Sequence, residues 1–413
     1  MEQFYDPQTA KLHLPPQMAS IPGLSAESLT AMFNAIGKPY IEGAFMTKHG
    51  DTYYLQYACP GTQYNTYADG VYTSRSPLGP FVRQASNPFS AKPGGFITGA
   101  GHGSTIADTY GNWWHASTMR ISVNYDFERR VGLFPAGFDK DGVLYCNQNF
   151  ADYPHRIPAG KFDAASQQPE WMLLSYKKPV TASSTAENSS PELAVNENCR
   201  SWWSAAGTEP GEWLCVDLGK ESDIRAIQVN MADEKLVVDF PADSYGDTRK
   251  TRHIETRPQI SHYTVETSVN GADWTVRETV ARECSNGYYE YAGGIRARYV
   301  RVTGGELPYG QALRISGLRV FGNGEGAKPA QAEAAGARVD ALDAKITWKH
   351  NENAQGCNVR YGAAPDKLYL SWLVYDADEV TLSTLTAGQE YYVCVDSFNE
   401  NGITPGKIFK LEG

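Results

Sequence analysis

The 413-residue chain places apolar and polar side chains in alternation over short runs. Helical spacing is the exception. Thr52–Ala58 (TYYLQYA) and Gly70–Arg75 (GVYTSR) have the period of two that sets one face of a strand against a core. The same rhythm recurs at Glu212–Leu218, Ile224–Met231, His262–Val269 and Ala297–Thr303, and again at Lys345–Trp348, Cys357–Tyr361, Glu379–Leu382 and Tyr391–Val395. Between the runs stand turn formers such as Ser76–Pro80 (SPLGP) and Lys92–Gly95 (KPGG). One segment breaks the pattern. Leu29, Met32, Phe33 and Ile36 share a helical face, with Ser25 as N-cap and Gly37 as stop. The pattern predicts an all-β chain in three regions: 1–173, 174–323 and 338–413. The last has the length and rhythm of an immunoglobulin-like sandwich. A stretch low in aromatics and rich in Gly and Ala, 324–337, reads as the linker before it.

Composition narrows the partners. Aromatic residues make up 12%, with 39 Gly and 23 Pro, which suits many short strands joined by turns. A net charge of −10 argues against nucleic acid, which needs a basic face. No run approaches the roughly 18 apolar residues of a membrane helix. An acidic chain rich in Tyr and Trp suits neutral polar ligands such as sugars, whose C–H faces stack on rings. The seven cysteines are odd in number and contain no CxxC. Zinc and thioredoxin-like chemistry lose support, and buried free thiols are the expected state. The opening MEQFYDPQTAKLHLPP has no basic segment leading into an apolar one, so no signal peptide is expected in this chain.

The first region carries a series of motifs in order: Ile41-Glu42-Gly43-Ala44-Phe45, Lys48–Leu55 (KHGDTYYL), Tyr67–Tyr72 (YADGVY), Ser74–Phe81 (SRSPLGPF), Asn87-Pro88-Phe89, Gly99–Ser104 (GAGHGS), then Asp108 and Gly111–Trp114 (GNWW). Together they resemble the central and C-terminal part of glycoside hydrolase family 43. The resemblance implies a five-bladed β-propeller that hydrolyses arabinosides, xylosides or galactosides with inversion, using one carboxyl as acid and another as base. Glu42 matches the general acid. Its neighbours Ile41 and Phe45 offer an apolar wall of the kind that raises a carboxyl pKa. His102 matches the position near the axis that helps to hold a central cation, commonly calcium. The alternative is a structural histidine of the channel. Arg120 is a candidate to clamp a substrate hydroxyl or orient a carboxylate, against the alternative of a surface salt bridge. His115 and Tyr67 are candidates to line the pocket. Trp113 and Trp114 are read as blade packing. No organic cofactor is implied.

The family's base and third acid precede the general acid by long stretches, yet only 41 residues precede Glu42. The expectation is that both are missing from this chain and that 1–173 holds about three blades. Asp6, before Pro7, is read as a turn residue.

The second region resembles a discoidin (factor V/VIII type C) domain, close to family 32 carbohydrate-binding modules. The residues that carry this are Ala182–Ser184, Leu193–Asn196, Trp202–Ser204, Glu212–Gly219, Tyr263–Ser268, Asn270–Trp274, Ala297–Val302 and Leu318–Gly322. Trp203, Trp213 and Trp274 match packing positions. Asn196 and Glu197 stand where Asp and Gly are usual, which weakens a calcium site there. Trp202 and Tyr288 are the aromatics considered for sugar stacking, and Ala232–Pro258 is a charge-dense insertion. The third region resembles fibronectin type III, with Trp348 and Tyr361 in its core and Leu385–Tyr391 as its tyrosine corner. Two functions follow from these resemblances. One is a secreted, periplasmic or cell-surface glycosidase with a polysaccharide or oligosaccharide substrate. The other is a non-catalytic carbohydrate-binding or adhesion protein. Neither sets an oligomeric state.

Overall fold

A computed structural model of the chain describes residues 5–6, 11–12, 41–62, 64–120, 129–232, 257–383 and 385–413. The helix expected between Ser25 and Gly37 lies outside these residues, as does most of the 232–258 insertion. The chain divides into two compact units. One comprises Met1–Arg120, Arg129–Glu170 and Ala327–Gly413, and the other includes Trp171–Gly326.

In the first unit, β1 (Tyr5–Asp6) pairs antiparallel with β2 (Lys11–Leu12). Asp6, read as a turn residue, is therefore the second residue of β1. Two antiparallel meanders follow. The first runs β3 (Glu42–His49), β4 (Thr52–Cys59), β5 (Ala68–Ser74), β6 (Val82–Arg83), with β7 (Ser90–Ala91) also on β5. The second runs β8 (Thr98–Ala107), β9 (Trp113–Arg120), β10 (Arg129–Phe138), β11 (Leu144–Cys146). Each has the strand order of a propeller blade. Where three blades were expected in 1–173, the described residues give these two sheets and the short hairpin. Tyr54, Val71, Phe89, Ala100, Met119, Phe134, Leu144 and Cys146 form the apolar layer between the meanders. At the head of β9, strand alternation sends the two tryptophans to different neighbours. Trp113 meets His49 and Phe138 edge-on, and Trp114 meets Phe162.

The second unit is built on one eight-stranded sheet. Its strands are β12 (Met172–Leu173), β13 (Val180–Ala182), β14 (Trp203–Ser204), β15 (Trp213–Met231), β16 (Ser261–Ser268), β17 (Thr275–Arg282), β18 (Asn286–Gly304) and β19 (Arg314–Asn323). The two runs read separately at 212–218 and 224–231 are one 19-residue strand, β15, which bends at register shifts after Asp217 and Ile224. Such bulges let one strand turn a corner and serve both parts of a sandwich. Of the three tryptophans read as packing, Trp203 is fully buried. Trp213 and Trp274 are half-buried, and Trp274 carries the Arg301 guanidinium 3.9 Å from its ring centroid. Glu197 takes the left-handed conformation (φ 59°) at the position where Gly was expected. Its carboxylate is buried and grips Arg319 in a bidentate pair at 2.9 and 2.8 Å. That pair occupies the region where a calcium site was weighed.

The third region joins β20 (Ala334–Arg338), β21 (Ala344–Trp348) and β24 (Glu379–Leu382) in one sheet. Its other sheet holds β22 (Gly356–Gly362), β23 (Leu370–Tyr375), β25 (Tyr392–Asn399), β26 (Gly402–Thr404) and β27 (Ile408–Lys410). This is the strand distribution of an immunoglobulin-like sandwich. The stretch 324–337, read as a linker, ends inside β20, which pairs with β21. Trp348 and Tyr361 are buried in the core. The Tyr391 hydroxyl accepts the Thr386 N–H at 3.1 Å, the corner contact expected from sequence.

Within the first unit the sandwich is bound to the second meander. Lys367 pairs with Asp139 at 2.9 Å and Asp141 at 2.6 Å, and the Tyr369 hydroxyl donates to Asp139 at 2.9 Å. Tyr369 stacks on Tyr145, and Phe398 meets Phe150 edge-on. Burial pushes the Asp139 carboxyl up. The Val143 N–H, Lys367, Tyr369 and the Asp141 N–H together outweigh that and hold it below its ordinary value. All seven cysteines are free, and all but the half-buried Cys284 are buried.

Candidate functional site

Glu42 opens β3, next to Gly43. Its side chain is 30% exposed, beside the 48% exposed His102. The Tyr67 hydroxyl donates to Glu42 Oε1 at 2.7 Å, and His102 Nδ1 lies 3.7 Å from the same oxygen. Ile41, expected to wall the carboxyl with apolar surface, is itself exposed. A phenol and an imidazole thus stand beside Glu42.

Two glycines make this convergence possible. Gly43 sits at φ +64°, and a Cβ there would lie 2.9 Å from the His102 ring. A Cβ on Gly101 would lie 2.8 Å from the Tyr67 ring. Tyr67 is 1% exposed. Burial first, and then the Glu42 hydrogen bond, push its phenol well above the ordinary value, with Arg129 opposing. Tyr67 therefore remains a protonated donor.

His102 is held in the left-handed region (φ 56°), where β8 slips register against β9 between Gly101 and Ser104. Asp69 fixes that backbone. Its Oδ1 accepts the His102 N–H at 2.7 Å, and its Oδ2 accepts the Gly103 N–H at 2.9 Å. The same Oδ2 faces His115 Nε2 at 2.9 Å, with both side chains fully buried. Tyr67 and Asp69 are two apart on one extended segment, so both point to one side.

Below this layer runs a closed polar chain between the two meanders. His115 Nδ1 meets Thr105 Oγ1 at 2.9 Å, and that hydroxyl donates to Gln56 Oε1 at 2.7 Å. Gln56 Nε2 donates to Thr47 Oγ1 at 2.9 Å, and Thr47 donates to the Thr105 carbonyl at 3.1 Å. The Thr105 proton is spent on Gln56, and His115 joins that hydroxyl to Asp69, Nδ1 facing the one and Nε2 the other.

Among the predicted site residues, the structure brings together Glu42, Tyr67 and His102. His115, expected to line the pocket, has no exposed surface. It reaches the site through Asp69. Arg120, weighed as a substrate clamp or a surface salt bridge, is buried at the end of β9, opposite Arg129 and Thr98 in register, and so lies off the surface. Sequence reasoning missed Asp69, Thr105, Gln56 and Arg129. A carboxylate two residues from Tyr67 on an apolar strand was the available signal for Asp69. As a cation site the surroundings of His102 fit poorly. Calcium takes six to eight oxygens, Asp69 is spent on N–H donors, and no group of three or more His, Cys, Asp or Glu suited to a metal occurs among the described residues.

At the far end of the β8–β9 hairpin, Asp108 accepts from Trp114 Nε1, the Asn112 side chain and the Asn112 and Tyr110 N–H groups, Trp114 first in weight. These hold its carboxyl at about 2. The motif Asp, like the Gly-Asn-Trp-Trp after it, shapes the turn.

Comparison with known proteins gives family matches in the first two regions. Residues 193–302 match the family described as NedA-like, galactose-binding domain. Over 126 residues the chain is 29% identical to the Non-reducing end alpha-L-arabinofuranosidase BoGH43B of Bacteroides ovatus. That match covers 29% of this chain and 24% of the relative, so the chain spans about a quarter of the length of the curated relative it matches. Among solved structures, a glycoside hydrolase is 20% identical with TM-score 0.38, covering 68% of this chain and 60% of its own. A fucose binding module of Streptococcus pneumoniae is 20% identical with TM-score 0.27, covering 39% and 99%. Residues 3–144, which contain Glu42, Tyr67, Asp69, His102 and His115, match Glycosyl hydrolases family 43.

Proposed function

We propose that the chain is part of a glycoside hydrolase in which Glu42 is the proton donor. The observation that carries this is a partly exposed carboxyl, held by a buried phenol, inside the segment that matches family 43. In such a reaction Glu42 gives its proton to the glycosidic oxygen as the bond to the anomeric carbon breaks towards that oxygen. Water adds to the anomeric carbon, and its proton passes to a second carboxylate. Asp69 does not supply that carboxylate, because both its oxygens are taken by buried donors. The substrate class is a neutral glycoside such as an arabinoside, xyloside or galactoside, with the arabinofuranosidase relative favouring the first.

The 193–302 region supplies sugar binding alongside, and the third region is a fibronectin type III domain that braces the second meander. Action outside the cytoplasm, in the periplasm or beyond, goes with this reading. No helix among the described residues is long and apolar enough to cross a membrane.

The test is turnover of 4-nitrophenyl α-L-arabinofuranoside, β-D-xyloside and β-D-galactoside by the protein as its source makes it. The anomer first formed is followed by proton NMR. Hydrolysis with inversion is expected. Sugar capture on a glycan array with no hydrolysis would instead favour the binding protein.

A further inference from the structure

We propose that Tyr67 is the positioning residue of Glu42, its hydroxyl committing Oε1 as an acceptor so that the acid's proton resides on Oε2. The inference rests on the reading of Glu42 as proton donor and adds to it how one of two equivalent oxygens is chosen.

The geometry is specific. A carboxyl at the start of a strand, 30% exposed, can rotate about its last torsion, whose energy wells are broad. A donor at 2.7 Å is in the range of charge-assisted bonds, and it comes from a ring that cannot move. Tyr67 is 1% exposed and packed on the bare backbone of Gly101. It is followed two residues later by Asp69, which ties β5 to the β8 backbone at His102 and Gly103. One short segment, Tyr67–Asp69, thus sets two neighbours of the carboxyl: the phenol directly, and the imidazole through its own backbone. A proton on Oε1 would face the phenolic proton, so it sits on Oε2. When that proton leaves, Tyr67 remains to stabilise the carboxylate. The bond is stronger after transfer than before it, which is what an interaction must do to accelerate a step.

The experiment compares the protein with Tyr67→Phe, which keeps the ring and removes one oxygen. The first readout needs no activity. The carboxyl 13C signal of Glu42, assigned by its loss in Glu42→Gln, is recorded at fixed neutral pH. A shift of that signal in Tyr67→Phe, with the thermal midpoint within a few degrees, is expected, and an unmoved signal overturns the hydrogen bond. The second readout is kinetic. Loss of a charge-assisted bond lowers kcat on glycosides with poor leaving groups about ten- to hundredfold, with KM within about twofold. A 2,4-dinitrophenyl glycoside, whose leaving group needs no proton, is hardly affected. Equal loss on both substrates overturns the positioning role. If the unmodified protein hydrolyses no glycoside, the reading of Glu42 as acid fails and takes the catalytic half of this proposal with it. The 13C readout then still upholds or overturns the hydrogen bond by itself.

Discussion

Replacing Asp69 with Asn removes the charge on which the site is assembled. Three donors converge on the Asp69 oxygens: the His102 N–H at 2.7 Å, the Gly103 N–H at 2.9 Å and His115 Nε2 at 2.9 Å. An amide offers one accepting oxygen. Its NH2 must then face either the His102 N–H or the pair formed by Gly103 and His115. At least one buried donor meets another donor. The His115 and Asp69 side chains are 0% and 1% exposed, so water does not compensate. Leaving a buried donor without an acceptor costs about 1–3 kcal/mol. A unit of this size loses about 2–4 °C per kcal/mol. Asp69→Asn should therefore lower the first unit's midpoint in differential scanning calorimetry by roughly 2–12 °C. The Trp171–Gly326 unit serves as the internal standard. The reasoning is refuted if the midpoint moves by less than about 1 °C.

Two further outcomes follow from the same structure. Glu197→Gln should destabilise the second unit by about 3–5 kcal/mol, read as a lower calorimetric midpoint. A change under about 1 kcal/mol would mean that Arg319 does not depend on that carboxylate. Asp139 is held below its ordinary value, so the stability it contributes is complete above about pH 4, the unfolded value. It is lost as pH falls through the lower folded value, and Asp139→Asn should flatten that part of the midpoint-against-pH curve.

Much of the fold was legible because strands advertise themselves locally. The alternation in Thr52–Ala58 foretells β4 to within a residue, and Glu379–Leu382 is β24 as read. Trp348, Tyr361 and the Tyr391 corner were visible for the same reason, being short-range features of one sandwich. Glu42 and His102 were legible only as members of a motif series. Their relation to one another was not, because Glu42 and His102 lie on different sheets and Asp69 meets His115 across 46 residues. Nothing local tells a strand that its buried histidine will find a carboxylate on another sheet. The same holds for 324–337. Its small residues look like a linker, yet their last few pair with β21.

The central claim is that Glu42 delivers a proton to a leaving sugar. The most direct test is the leaving-group dependence of Glu42→Gln, assayed on the protein as its source makes it. A loss of about 10²–10⁴ in kcat/KM on an oligosaccharide is expected, with a much smaller loss on a 2,4-dinitrophenyl glycoside. Undiminished hydrolysis of the oligosaccharide by Glu42→Gln would contradict it.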